Sequence, residues 1–164
     1  MSYRRFAAMI ATSTLAMFIL MYLNSYALDH QIYSQTRTWM ALLMGATMAV
    51  IMLGFMWSMY DGRRVKIAIV AGALIVGAGS LGLVRSQATV GDVAYMEAMI
   101  PHHSIAILTS SRAHIRDVRV RELADQIIKT QVREIDEMKR LIADIEAHPI
   151  PGDAADLPPV AVAP

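Results

Sequence analysis

WMALLMGATMAVIMLGFMWSMY, Trp39–Tyr60, is a run of 22 residues without a charge. A helix needs about 20 apolar residues to cross the hydrocarbon core of a bilayer. Aromatic side chains stand at both ends of the run, Trp39 at one and Trp57 and Tyr60 at the other. Such amphipathic rings favour headgroup level. The stretch therefore predicts a transmembrane helix, and it guides the reading of its neighbours. Phe6–Leu28 and Ile67–Val84 are also uncharged, over 23 and 18 residues. Tyr22 and Tyr26 lie near the end of the first of these. The expectation is an all-α chain with three transmembrane helices, at about 6–28, 39–60 and 67–84.

Basic residues orient these helices. Arg4 and Arg5 precede the first run, and Arg63, Arg64 and Lys66 lie between the second and third, whereas the first link holds only Arg37. Positive charge marks the cytoplasmic side. The N-terminus is thus expected in the cytoplasm of a bacterial cell, the helices in its inner membrane, and everything after Val84 in the periplasm. Arg4, Arg5, the apolar stretch and Ser25-Tyr26-Ala27 also resemble a cleavable signal peptide, but the run is longer than a usual signal core. Cleavage would leave the C-terminal part on the same side.

Charge divides the chain. Residues 1–84 carry six Lys/Arg and two Asp/Glu, and residues 85–164 carry nine and twelve. An acidic outer part argues against nucleic acid as a partner and mildly attracts cations. The chain has no cysteine, which excludes thiolate sites and disulfides. Thioethers and imidazoles suit a metal site in an oxidising compartment better than thiols do.

After a linker at 85–91, two helices are expected, at about Asp92–Ile115 and Val118–Ala147, with Thr89 or Asp92 as N-cap candidates for the first. Pro101 predicts a kink or local break in that helix. In the second, Leu123, Ile127, Ile128, Ile135, Met138, Leu141, Ile142 and Ile145 recur every three to four residues, one buried stripe. The short link at Arg116–Asp117 folds the two back as an antiparallel hairpin over 92–148. Residues 149–164 hold five of the six prolines and read as a disordered tail. A single hairpin buries little core, so a homodimer or higher homo-oligomer forming a four-helix bundle is expected, or docking against a membrane helix.

The chemistry concentrates in MEAMIPHHSIAI, Met96–Ile107. Met96, Met99 and His103 share a helical face, and His102 falls about 100° away. On the second helix Gln131, Glu134 and Met138 share a face. Thioether sulfur and neutral imidazole suit Cu(I) or Ag(I) and not Mg or Ca. Glu134 or Gln131 would accept from, or otherwise orient, the free ring N–H. The residues also admit plainer roles: methionine at helical spacing fills cores, and Glu134 is equally readable as a charge held by Arg or His. Met40, Met44, Met48, Met52 and Met56, spaced by four, wind along one side of the second membrane helix. They read as gap-filling side chains, since no intramembrane charge marks a transport route. The pairs Ala68/Gly72, Ala73/Gly77 and Ala78/Gly82 suit close helix packing in the third.

YMEAMIPHHSIAI, Tyr95–Ile107, followed by ADQIIKTQVREIDEMKRL, Ala124–Leu141, resembles the bacterial family known as domain of unknown function 305. The family's signature is Met-x-x-Met-Ile-Pro-His-His and then Gln-x-x-Glu-Ile-x-x-Met, and this chain has both halves. The resemblance implies a ferritin-like helical fold and an exported protein, with copper or silver binding in some relatives. It implies Met96, Met99, His102, His103 and Met138 as metal-binding candidates, with Gln131 and Glu134 at the polar positions. Relatives often have a methionine where Thr109 stands, so one thioether is missing.

The expected function is a membrane-anchored periplasmic protein that takes up Cu(I) or Ag(I) and sequesters it or hands it to copper-handling proteins. The competing reading is a non-catalytic assembly module whose Met/His face is a protein interface. A di-iron oxidase would need Glu-x-x-His pairs; the chain has none, and no enzyme is expected.

Overall fold

The computed structural model describes residues 2–152 and 154–160. Those residues form five α-helices and two short 3-10 turns, with no strand. The helices are α1 (Tyr3–Leu20), α2 (Gln35–Phe55), α3 (Arg63–Ser86), α4 (Asp92–Arg112) and α5 (Val118–Ala147). The 3-10 turns cover Leu28–His30 and Trp57–Met59.

Two helices, not the expected three, are long and apolar enough to cross a membrane: α2 and α3, with mean hydropathy 1.8 and 2.3 over their best windows. The first apolar run reaches Leu28, but its helix stops at Leu20 after 18 residues. Arg4, Arg5 and the Thr12-Ser13-Thr14 cluster dilute what remains. Beyond Leu20 the chain finds polar partners outside a helix. The Tyr22 hydroxyl accepts from the Ser34 N–H at 3.0 Å, and the Tyr26 N–H donates to Ser104 at 2.7 Å. An uncharged run shows where a helix can lie; it does not fix where those partners end it.

Helix α1 packs along α2. At one end Phe6, Ala49, Leu53 and Tyr60 form a buried cluster, with Met9, Met52 and Met56 against it. Tyr3 stacks on Tyr60 at 5.0 Å, and its hydroxyl donates to the Asp61 carbonyl at 2.6 Å. Apart from Leu53, the buried residues of α2 are small: Ala41, Gly45, Ala46 and Ala49. Such faces let backbones approach closely where lipid removes any hydrophobic drive between helices. Of the glycines in the three small pairs on α3, only Gly77 meets a neighbour, at Ala46 and Leu43 of α2; Gly72 and Gly82 face open space. Lys66, buried at the start of α3, donates to the carbonyls of Trp57 and Tyr60 at 2.9 and 3.1 Å and lies over the Trp57 ring. It thereby ties the turn that follows α2 to the start of α3.

Helices α4 and α5 join through Ala113–Asp117 and pack on each other around Met96, Ile100, Ile107, Ile135 and Met138. Asp117 caps α5, accepting from the Arg119 N–H at 2.9 Å. Gly91, rather than Thr89 or Asp92, occupies the N-cap position of α4. The local break expected at Pro101 is absent: α4 continues through it, with Pro101 itself buried. Proline removes one hydrogen bond of the helical ladder, but Ile100, Pro101 and Ser104 are all enclosed, and that packing holds the turn. The α5 stripe is not buried throughout, for Leu123 and Leu141 are exposed.

The link between α1 and α2 reaches α4 and α5. Ile32 packs against their core, and Asp29 accepts from Lys139 of α5 at 2.6 Å. Nothing in the sequence marks this link as a partner of residues more than seventy positions away.

A Cβ at Gly45 would overlap Thr14 Oγ1 on α1. Overpacking of this kind costs about 1–3 kcal/mol. Gly45→Ala is expected to lower the melting temperature of the detergent-solubilised chain, and Gly45→Ala with Thr14→Ala to recover it. A single variant as stable as the wild type would show that α1 does not pack there.

Candidate metal centre

The seam between α4 and α5 opens on one side into a cleft of about 1390 Å³. Met96, Met99 and His103 line it from α4, and Glu134, Glu137 and Met138 from α5. Asp92 and Tyr95 stand at its α4 end, and Ile150–Gly152 and Ala154–Leu157 form an outer wall. Of the expected tail, Asp153 and residues 161–164 lie outside the described residues.

Five of the seven residues singled out from the sequence meet here: Met96, Met99, His103, Glu134 and Met138. Met96 and Met138 are buried, and Met99 packs against the core. His102 is exposed and does not line the cleft; its ring centroid lies 6.2 Å from that of His103. Helical geometry accounts for this, since adjacent residues diverge by about 100° and α4 is continuous at Pro101. Gln131 stands behind, its amide donating to Glu134 Oε2 at 3.3 Å. Thr109 is also remote from the cleft: its hydroxyl donates back to the carbonyls of Ile105 and Ala106 at 3.1 Å.

His103 is the pivotal donor. Its side chain is 14% exposed, and its Nδ1 lies 3.5 Å from Glu134 Oε2. That separation falls within ion-pair range, but the angle makes no hydrogen bond, and Nδ1 is a buried nitrogen without a hydrogen-bond partner. Buried polar atoms are nearly always satisfied. An orphan nitrogen beside three thioethers is what a soft cation would use, or what Glu134 would take up with a small rotation. Burial lowers the His103 pKa below its ordinary value; Glu134 opposes this and His102 adds to it. The neutral imidazole, the metal-binding form, is thus favoured.

Among the described residues, no group of three or more His, Cys, Asp and Glu stands close enough to hold a metal ion. A metal centre here must draw on thioether sulfur. That donor set fits Cu(I) or Ag(I) and is poor for hard cations, which want oxygen ligands.

Two residues invisible to motif reading adjoin the site. Ser104, wholly buried, follows the two histidines and accepts from Tyr26. His30, on the α1–α2 link, places Nδ1 3.0 Å from the same hydroxyl. Burial also lowers the His30 pKa, against the pull of Asp29.

A family model described as Domain of unknown function (DUF305) matches residues 83–156. The chain is also similar to "Uncharacterized protein L153" of Acanthamoeba polyphaga mimivirus, 30% identical over 142 residues. That similarity covers 82% of this chain and 91% of the viral protein, too long a span to be confined to 83–156. No solved structure matches.

The two depressed histidines give a pH signature. Their folded pKa values lie below the unfolded value near 6.5, so the unfolded chain binds more protons as pH falls through that region. Stability is complete above about pH 6.5 and declines below it, down to the folded pKa values. The melting temperature should fall between pH 7.5 and 5.5, and less steeply in His103→Gln. Equal slopes in the two proteins would show that His103 is not protected from protonation.

Proposed function

We propose a function for this chain from one premise: it belongs to the DUF305 family. The chain acts as a membrane-anchored metal-binding protein. Helices α2 and α3 hold it in the bilayer, and the α4–α5 pair, read as an antiparallel hairpin, takes up Cu(I) or Ag(I). It sequesters the ion or passes it to copper-handling proteins. The bilayer is the bacterial inner membrane and the hairpin lies in the periplasm, a topology supported by the basic residues Arg63, Arg64 and Lys66 at the link between α2 and α3. The loop between α1 and α2 touches α4 and α5, which fits their lying on one side of the membrane.

One observation carries the reading: three thioethers and His103, whose buried Nδ1 makes no hydrogen bond, line a single cleft. Met96, Met99, Met138 and His103 are the proposed ligands. Glu134, steadied by Gln131, orients the His103 ring or neutralises the cation. His102, exposed and outside the cleft lining, is not a proposed ligand. This is binding chemistry, with no catalytic group proposed.

Exposed Tyr95 and Leu141 favour a second role for the same face. They flank the cleft, and a second copy of the chain would cover them, completing a four-helix, ferritin-like bundle. In the strict form of this alternative, the Met/His face is only an interface.

Titration of the full chain in nanodiscs with Cu(I), against a competing chelator, separates the two. Binding tighter than micromolar is expected. His103→Ala should weaken it by more than tenfold, and His102→Ala by less. Wild-type affinity weaker than micromolar, or an unchanged affinity in His103→Ala, would sink the metal-binding reading and leave the interface.

A further inference from the structure

The hydroxyl of Ser104 has both its partners outside the α4–α5 pair. The Tyr26 N–H donates to Oγ at 2.7 Å, and His30 Nδ1 lies at 3.0 Å. Oγ accepts from Tyr26 and also pairs with His30 Nδ1, as donor or as second acceptor according to the tautomer of His30. The other ring nitrogen lies 3.8 Å from Asp29 Oδ2. Asp29 in turn accepts from Lys139 of α5 at 2.6 Å, and Ile32 packs into the core between the helices. The link from α1 to α2 therefore grips α4 at Ser104, α5 at Lys139 and the seam between them.

We propose that this link is a working part of the metal site, with Ser104 and His30 as positioning residues that set the aim of His103. The inference rests on the metal-binding reading and concerns what holds that site in shape. Ser104 and His103 are neighbours on α4, about 100° apart around the axis. Pinning Ser104 to the link turns His103 toward the cleft. The pin matters because of Pro101, which has no N–H and leaves this turn one backbone hydrogen bond short. The rotation of the turn then depends more on what its side chains touch. The similarity to the viral protein, extending well beyond 83–156, fits a helical pair that works together with the membrane part.

A clasp coupled to a binding site must respond to the ligand as the site responds to the clasp. The test uses the full chain in nanodiscs of phosphatidylcholine and phosphatidylglycerol, with Ag(I) as a redox-inert probe. Ser104→Ala and His30→Leu should each weaken Ag(I) about five- to tenfold, within the usual range of coupling between sites. His30→Asn, whose amide keeps a hydrogen-bonding group near the place of Nδ1, should restore most of the affinity. In the wild type, Ag(I) should slow hydrogen exchange at the Tyr26 amide, an effect that a purely structural contact would not show. If the wild type binds Ag(I) but both variants bind equally well and Tyr26 exchange ignores the ion, the clasp is overturned while the metal site stands. If the wild type does not bind Ag(I), the site and its clasp fall together. Melting temperatures of the variants distinguish weakened binding from loss of fold.

Discussion

Two helices packed along one seam leave much of their apolar surface facing water. Units of this size seldom bury enough of it to stand alone. That shortage shapes the outer part of this protein. Met96, Ile100, Ile107, Ile135 and Met138 fill the seam, and on one side Ile32 from the α1–α2 link covers it. The other side stays open as the cleft. One side of the seam is closed by the chain itself and the other is left for a ligand, a second copy, or both. The polar contacts follow the same division. Ser104, His30, Asp29 and Lys139 are engaged on the closed side, whereas His103 Nδ1 on the open side has no hydrogen-bond partner.

The proposed membrane part answers a different constraint. Lipid gives helices no hydrophobic reason to associate, so contact depends on close fit. Small residues on α2 supply it, with Thr14 of α1 against Gly45 and Gly77 of α3 against Ala46. The same arrangement carries the α1–α2 link to where it can reach α4. The N-terminal helices and the α4–α5 pair are thus mechanically connected, although only residues 83–156 match the family model.

What was legible in the sequence was what repeats locally. The all-helical class followed from uncharged runs and from the three-to-four spacing in α5, where Ile135 and Met138 are indeed buried. The convergence of Met96, Met99, His103, Glu134 and Met138 followed from helical faces alone. Long-range partners were not legible. The end of α1 at Leu20 depends on Ser34 and Ser104, the latter 78 positions from Tyr26. The roles of Ser104 and His30 carry no motif, and their only signal was a polar residue beside a histidine pair in an otherwise apolar turn. Periodicity also could not separate the covered from the uncovered part of one stripe, so Leu123 and Leu141 read as core and stand exposed. His102 and His103 are alike as a dipeptide; their positions about 100° apart around a continuous α4 leave only His103 lining the cleft.

The charge around the cleft sharpens the choice of ligand. Asp92, Glu134, Glu137 and Asp156 line it, and none of the described residues lining it is a Lys or Arg. Carboxylates alone would favour a hard divalent cation, which needs six or more oxygen ligands for calcium or a near-ideal octahedron for magnesium. The described acidic residues form no such group, even with histidine included. They act instead at longer range, raising the local concentration of any cation. In the proposed site, selection then falls to the thioethers and the His103 imidazole, donors that suit soft ions and not hard ones. On the proposed reading, a rim that attracts cations indiscriminately above a floor that retains only the soft ones divides attraction from selection. With that division, one ligand set can discriminate among metal ions without cysteine.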